Sequence, residues 1–436
     1  MVACIAARGF RVKAVDLNPQ KVDSVNSGLP PVNEPGLAEL MKEAGNRLTA
    51  TGSIAEAVED TEVTFIVVST PSEVSGGFSL QYVLPACEII GRVLASKKAF
   101  HLVVLTSTVM PGSTGGPVLA ALELASGKRC GRDFGLCYNP EFIALGTVIR
   151  DFYNPDFLLI GESDQRSGDM LSAFYGQVCK NSPMIARMNF MNAEITKLAV
   201  NTYITTKISY ANMLARLCEK LPGADVNVVT DALGLDTRIG PKYLKGAVSY
   251  GGPCFPRDNR ALAALAARVG ASYGLAEATD IFNRAQIKLL AGIVKSCHSD
   301  VDSIGILGLT YKPNTDVVEE SFGLLLALEL FAANLPVIVY DPSADAGRAM
   351  AAHAMIRVAR SAQDCIDQSS VVVVATPWPE FREIPAEHWI RSGRLRAVVD
   401  CWRTLGHLDG MEGVRYVRLG FGGEAERPVG VSASVG

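Results

Sequence analysis

VTFIVVSTP, residues 63–71, is an apolar, β-branched run that stops in Ser-Thr-Pro. A half-exposed strand would alternate apolar and polar residues. A continuous run this short reads instead as a strand of a parallel sheet buried on both faces, with its functional loop at the C-terminal end. HLVVLTSTVMPG (101–112) repeats the arrangement, and RVKAVDLN (11–18), FGLCYNPEF (134–142) and FLLIGES (157–163) add three more strands. Helical patterns lie around and between them: PQKVDSVNSG (19–28), GLAELMKEA (36–44) and LQYVLPACEIIGRVLA (80–95). Alternating β and α elements predict a doubly wound sheet over residues 1–185.

Residues 190–222, FMNAEITKLAVNTYITTKISYANMLARLCEKLP, contain no internal Gly or Pro and carry helical periodicity. Such a helix is long enough to separate two domains. More helix is expected at 224–235 and 259–295. After the polar break KSCHSDVDS (295–303) comes a second strand set: SIGILGLTYKP, PVIVYDP, SSVVVVATPWPEF and RAVVDCW. The expected fold is α/β, with two Rossmann-like doubly wound domains joined by a long central helix. The expected boundaries are 1–185, 186–296 and 297–420, with a Gly/Ser-rich, disordered tail at 421–436.

The 436 residues are 48% hydrophobic and 20% charged, with a formal net charge of -4. A chain of this length divides into two or three domains. Its charge gives no reason to expect nucleic acid or an anionic membrane as partner. No apolar run reaches the length of a membrane span, and the N-terminus lacks a signal-peptide layout. Ten cysteines are scattered without a CxxC pair, and the five histidines show no HxxxH spacing. Neither a disulfide framework nor a metal site is expected, and the chain reads as cytoplasmic.

YGGPCFPRDN (250–259) places Cys254 in a turn of glycines and prolines. The bland reading is an inert loop thiol. The sharper one is a nucleophile, with a backbone cleared for close approach. Asp16 ends an apolar strand just before a helix carrying Lys21, the place of a ribose-binding acid in a dinucleotide fold; a plain helix cap is the alternative. The glycine loop that should precede it is not expected here, since MVACIAARGF reads as the body of the first helix. Either the native chain is longer or the module has lost its pyrophosphate cradle. SIGILGLTYKPNTD (303–316) does not supply that loop, because Tyr-Lys-Pro prevents an immediate helix.

Several motifs now stand in order: VDLNPQKVDSVNSG followed by EPGL, STP (69–71), TSTVMPGST (106–114), NPEF (139–142), AEITKLAVNTY (193–203), RIGPKYLKGAVSYGGPCFPRD (238–258) and GLTYKPNTD (308–316). Together, over about residues 1–410, they resemble the UDP-glucose/GDP-mannose 6-dehydrogenase family, and UDP-glucose enzymes most. The resemblance implies oxidation of the C6 alcohol of a nucleotide sugar to a carboxylate with two NAD⁺, through a cysteine thiohemiacetal and thioester. It assigns the nucleophile to Cys254 and oxyanion stabilisation to Lys197 and Asn201, which share a helix face four residues apart. Asp258 and Glu141 match the acids that activate water, and Thr108 a threonine holding that water. Asp16, Lys21, Thr70, Pro71 and Thr108 are the implied cofactor contacts. Phe142, Lys197, Asn201, Arg238, Tyr243, Lys245, Gly251 and Lys312 are the implied substrate contacts. Arg238 often comes from a neighbouring subunit in the family, so a homodimer or higher homo-oligomer is implied, with 186–296 as its dimerisation and active-site domain and 297–420 binding the nucleotide sugar.

The chain departs from the family pattern at four points. The glycine loop is absent, Leu145 stands where relatives carry an acid, Glu319 where they commonly carry an arginine, and Arg257 where they carry a lysine. The departures motivate a rival reading, a catalytically silent homologue that binds a nucleotide sugar. GDP-mannose is the nearest rival as substrate. Trp378 reads as packing, and Arg403 as a residue that reaches a substrate anion or serves structure alone.

Overall fold

A computed structural model describes residues 1–32, 34–271, 274–298, 302–343, 356–391 and 394–423. Most of the expected tail lies outside them. The chain divides into two compact units, Met1–Val200 with Arg260–Tyr273, and Asn201–Asn259 with Gly274–Gly436.

In the first unit, β1 (Val12–Val15) pairs in parallel with β2 (Leu48–Thr51). β3 (Val63–Ile66), β4 (Leu102–Leu105), β5 (Gly135–Tyr138), β6 (Phe157–Glu162) and β7 (Met184–Met188) form a second sheet in chain order. All its ladders are parallel except β5–β6, which is antiparallel. The single sheet expected over 1–185 is therefore two. No ladder joins β1 to β3 among the described residues. The helix Val2–Ala7 precedes β1 in the chain. β4 is buried along its whole length, as its LVVL sequence requires. Helices cover both faces. Asn18 caps Pro19–Asn26 and Asp164 caps Gln165–Val178, each side chain accepting a backbone N–H of the first turn.

In the second unit six strands lie in the order β10-β9-β8-β11-β12-β13, all parallel. They are β8 (Ser303–Leu307), β9 (Val337–Tyr340), β10 (Arg357–Val358), β11 (Ser369–Val374), β12 (Arg396–Asp400) and β13 (Val414–Arg418). β8, β11 and β12 are wholly buried. Their Val and Ile side chains pack against Leu290, Val294, Leu326 and Leu330 of the helices Gly274–Cys297 and Phe322–Ala332. Ser321 caps the latter helix, so GLTYKP opens a stretch of 14 residues of loop and turn (308–321) before any helix starts.

The long helix runs from Phe190 to Cys218. The stretch expected as helix at 259–295 is two helices, Phe255–Arg268 and Gly274–Cys297. The first starts four residues early because Pro256 suits the opening turn. It ends where Gly270 takes a φ of +69° and the Ala271 N–H closes on the Ala266 carbonyl. Among the described residues no helix is long and apolar enough to cross a membrane.

Candidate active site

In the first unit the residues expected to hold a cofactor follow strand ends. Asp16 follows β1. Its Oδ1 accepts the Asn18 N–H at 2.8 Å, and its Oδ2 lies 3.5 Å from Lys21 Nζ. Thr70 follows β3 and donates its hydroxyl to the Thr108 carbonyl at 2.7 Å, tying the loops after β3 and β4 together. Pro71 follows directly.

The NPEF loop and the long helix meet in the same unit. Lys197 Nζ donates to the Glu141 carbonyl at 2.5 Å and lies 4.4 Å from the Phe142 ring centroid. The Phe142 ring in turn packs on Phe157, with centroids 4.9 Å apart. The lysine stem is buried, so its ammonium is fixed by a carbonyl and an aromatic face. Glu141 Oε1 is buried and has no hydrogen-bond partner among the described residues. Burial pushes the Glu141 carboxyl up, against the N-terminal amine and Lys197. A carboxylate short of partners and raised by desolvation is poised to take a proton. Leu145 is exposed.

In the second unit, Cys254 immediately precedes the helix Phe255–Arg268, and it is the exposed member of the ten cysteines. Asp258 lies one turn into that helix, 1% exposed. Its Oδ2 accepts the Asn201 amide at 2.6 Å, and its Oδ1 lies 3.6 Å from Arg257 Nε. Fifty-seven residues apart in sequence, Asn201 and Asp258 are thus one hydrogen-bonded pair. The Asn201 amide, which the sequence reading aims at a substrate oxygen, holds the acid.

The two glycines before the cysteine have close neighbours within this chain. A Cβ on Gly251 would run into the Glu320 carbonyl, and one on Gly252 would stand 2.8 Å from the Tyr311 ring. Gly252 also has φ +83° and donates its N–H to the Glu319 carbonyl. The space cleared of side chains is filled by this chain, so packing of the turn requires these glycines. Burial, with Cys254 adding to it, pushes the Tyr311 phenol up to about 12. Lys312 Nζ lies 5.7 Å from the Tyr311 ring centroid.

Arg238, Tyr243 and Lys245 stand on the surface. The Arg238 fork closes on Asp236 at 2.6 Å. Arg403 does not stand open to an anion: its guanidinium holds Asp225 at 2.6 Å and the Leu419 carbonyl. Trp378 does more than pack, since its indole N–H is 3.2 Å from both Thr310 Oγ1 and Asp341 Oδ2.

Three supporting side chains escaped the sequence reading. Glu194, wholly buried, accepts the Gly112 and Thr114 N–H groups of the loop after Thr108 at 2.6 and 2.7 Å. Its position in AEITK was the available signal. Asn212 and Asn283, which hold the segment before Cys254, gave none.

Three family models cover most of the sequence, all of the UDP-glucose/GDP-mannose dehydrogenase family: the NAD binding domain over 1–179, the central domain over 191–285 and the UDP binding domain over 305–407. The chain belongs to that family. A UDP-glucose 6-dehydrogenase of Haloferax volcanii is 35% identical over 94% of this chain and 96% of its own length. A GDP-mannose 6-dehydrogenase of Pseudomonas putida is 32% identical over 87% of this chain and 89% of its own. Among solved structures, a UDP-glucose dehydrogenase from Pyrobaculum islandicum superposes with a TM-score of 0.87 at 32% identity, covering 96% of this chain and 94% of that one. As a member of the UDP-glucose/GDP-mannose dehydrogenase family, the protein is an NAD-dependent nucleotide-sugar 6-dehydrogenase. Its residues fit NAD at the ribose end. The Asp16 carboxylate stands at a strand end beside an exposed lysine, a donor and acceptor pair suited to ribose hydroxyls.

Proposed function

We propose that the protein oxidises the C6 alcohol of UDP-glucose to the uronate, with Cys254 as covalent nucleophile. The observation that carries this reading is the exposed Cys254 thiol one helical turn ahead of a buried Asp258–Asn201 pair. The 35% identity to a UDP-glucose 6-dehydrogenase and the 0.87 TM-score to another favour UDP-glucose over GDP-mannose.

NAD, when bound, supplies the hydride acceptor; Asp16, Lys21, Thr70, Pro71 and Thr108 would hold it. Asp258 takes the C6 hydroxyl proton through a water, its acceptor orbital oriented by Asn201. The Cys254 sulfur then adds to the C6 aldehyde carbon, and the carbonyl oxygen becomes the hydroxyl of a thiohemiacetal. An aldehyde in this tetrahedral form can lose its second C6 hydrogen. Lys197 and the second N–H of the Asn201 amide stabilise the oxyanion that forms as it does so. The resulting thioester is cleaved by a water whose proton passes to Glu141, and the thiolate leaves. Phe142, Arg238, Tyr243, Lys245, Gly251 and Lys312 hold the nucleotide sugar, an arginine fork being suited to its phosphates. The Arg238 fork reaches this site from a second copy in a homodimer, for which its surface position is suited. The three parts 1–185, 186–296 and 297–420 serve cofactor, dimer and active site, and nucleotide sugar in turn. The ten cysteines, scattered without a CxxC pair, support a cytoplasmic enzyme.

The test is NADH formation with a panel of UDP- and GDP-sugars, with product counted by mass spectrometry. Two NADH per uronate from UDP-glucose is the expected result. Turnover with GDP-mannose alone would move the substrate assignment, and none with any sugar would favour the silent homologue.

A further inference from the structure

The segment Gly246–Tyr250, leading into the cysteine turn, is buried throughout yet belongs to no strand. Buried backbone N–H and C=O groups need partners. Two side-chain amides supply them. Asn212, on the helix Phe190–Cys218, accepts the Ala247 N–H at 2.8 Å and donates to the Val248 carbonyl at 2.8 Å. Asn283, on the helix Gly274–Cys297, accepts the Tyr250 N–H and donates to the Tyr250 carbonyl, both at 2.9 Å. Each amide, 1% and 6% exposed respectively, does for this segment what a neighbouring strand would do. Beyond the turn, the Asn259 amide donates to the Tyr250 hydroxyl at 3.1 Å and to Thr205 Oγ1 at 2.7 Å, and the Tyr250 and Phe255 rings meet edge to face. Tyr250 is therefore fixed by backbone and ring, the helix start at Phe255 is fixed by the same ring, and only Gly251–Cys254 span the interval.

We propose that Asn212 and Asn283 are positioning residues for the Cys254 nucleophile, acting through the backbone of the segment before it. The inference rests on the proposed role of Cys254. An amide is required because each site offers one N–H and one C=O. An aspartate at 283 would accept from the N–H but set an oxygen against the Tyr250 carbonyl. Protonated, the same side chain would regain the donor.

A nucleophile out of place should let the aldehyde escape before the sulfur adds. The experiment uses the full chain with its sugar substrate and NAD, traps released aldehyde with hydroxylamine, and counts aldehyde and uronate by mass spectrometry. For Asn283→Ala, uronate kcat should fall about 10- to 100-fold, with KM for NAD unchanged and trapped aldehyde rising as a share of product. Asn283→Asp should do the same at high pH and recover uronate as pH falls, relative to the unchanged chain. Asn212→Ala should act in the same direction. Loss of both products in proportion, or no loss, or an Asn283→Asp variant whose deficit ignores pH, would overturn the proposal. Cys254→Ser is the control. If it still makes uronate normally, the reading of Cys254 fails; if it does not, and the asparagine variants release no aldehyde, the positioning role alone fails.

Discussion

Replacing Glu194 tests whether one buried carboxylate holds the loop that carries Thr108. Each oxygen takes one backbone N–H, from Gly112 and Thr114. Glu194→Gln keeps the volume and one acceptor, but turns its NH₂ against the other N–H. The cost is one charge-assisted hydrogen bond and one stranded donor, about 2–3 kcal/mol. Glu194→Ala strands both donors and opens a cavity, about 3–6 kcal/mol. Hydrogen exchange read by mass spectrometry on peptides covering 106–116 reports this locally. If the loop opens independently of the rest, about 2–3 kcal/mol corresponds to amides exchanging about 30- to 150-fold faster in Glu194→Gln. KM for NAD should rise with it, because Thr70 and Thr108 share that loop junction. Unchanged exchange across 106–116 in the glutamine variant would refute the reasoning.

Cys254→Ser should abolish uronate formation and leave at most slow aldehyde-level chemistry, read by the product count. Glu141 must be ionised to act as a base, and burial raises its pKa. The acid limb of kcat for uronate should therefore lie above the usual carboxylate range, activity being lost as pH falls through it. Lys197 opposes that rise, so Lys197→Met should move the limb further up while lowering the plateau. Gly252→Ala, at φ +83° and against the Tyr311 ring, should cost at least about 1 kcal/mol in backbone strain alone and lower kcat. A urea titration and an activity assay check the two effects.

The buried strands were legible because β4, β8, β11 and β12 lie between two helical layers and need apolar side chains on both faces. β2 (LTAT) and β7 (MIARM) were not, since each is short and partly exposed and carries no continuous apolar run. The antiparallel β5–β6 ladder left no local mark, as pairing direction is set by the path between strands. At the site, residue types were readable from motifs, but their pairings were not. Nothing local to Asn201 points to Asp258, and Asn212 and Asn283 sit in ordinary helical sequence. Their role exists only because a distant segment arrives without a strand beside it. The glycines before Cys254 were singled out from the sequence for approach to a ligand, but their close packing on the Glu320 carbonyl and the Tyr311 ring was not legible, because a sequence does not show which distant residues arrive beside a turn.

The cysteine inventory has a practical side. Burial raises eight of the ten thiols, Cys87 and Cys365 to about 12. Cys297 is half-buried, and Cys254 faces solvent. Thiolate character and access together decide which sulfur an oxidant finds first. By access, Cys254 is the sulfur peroxide meets first, and with Cys254 as the proposed nucleophile the enzyme would have a fuse: that sulfur is spent before the core is touched. Damage of this kind would stop turnover in a protein still folded, and at the sulfenic stage a small thiol could reset it.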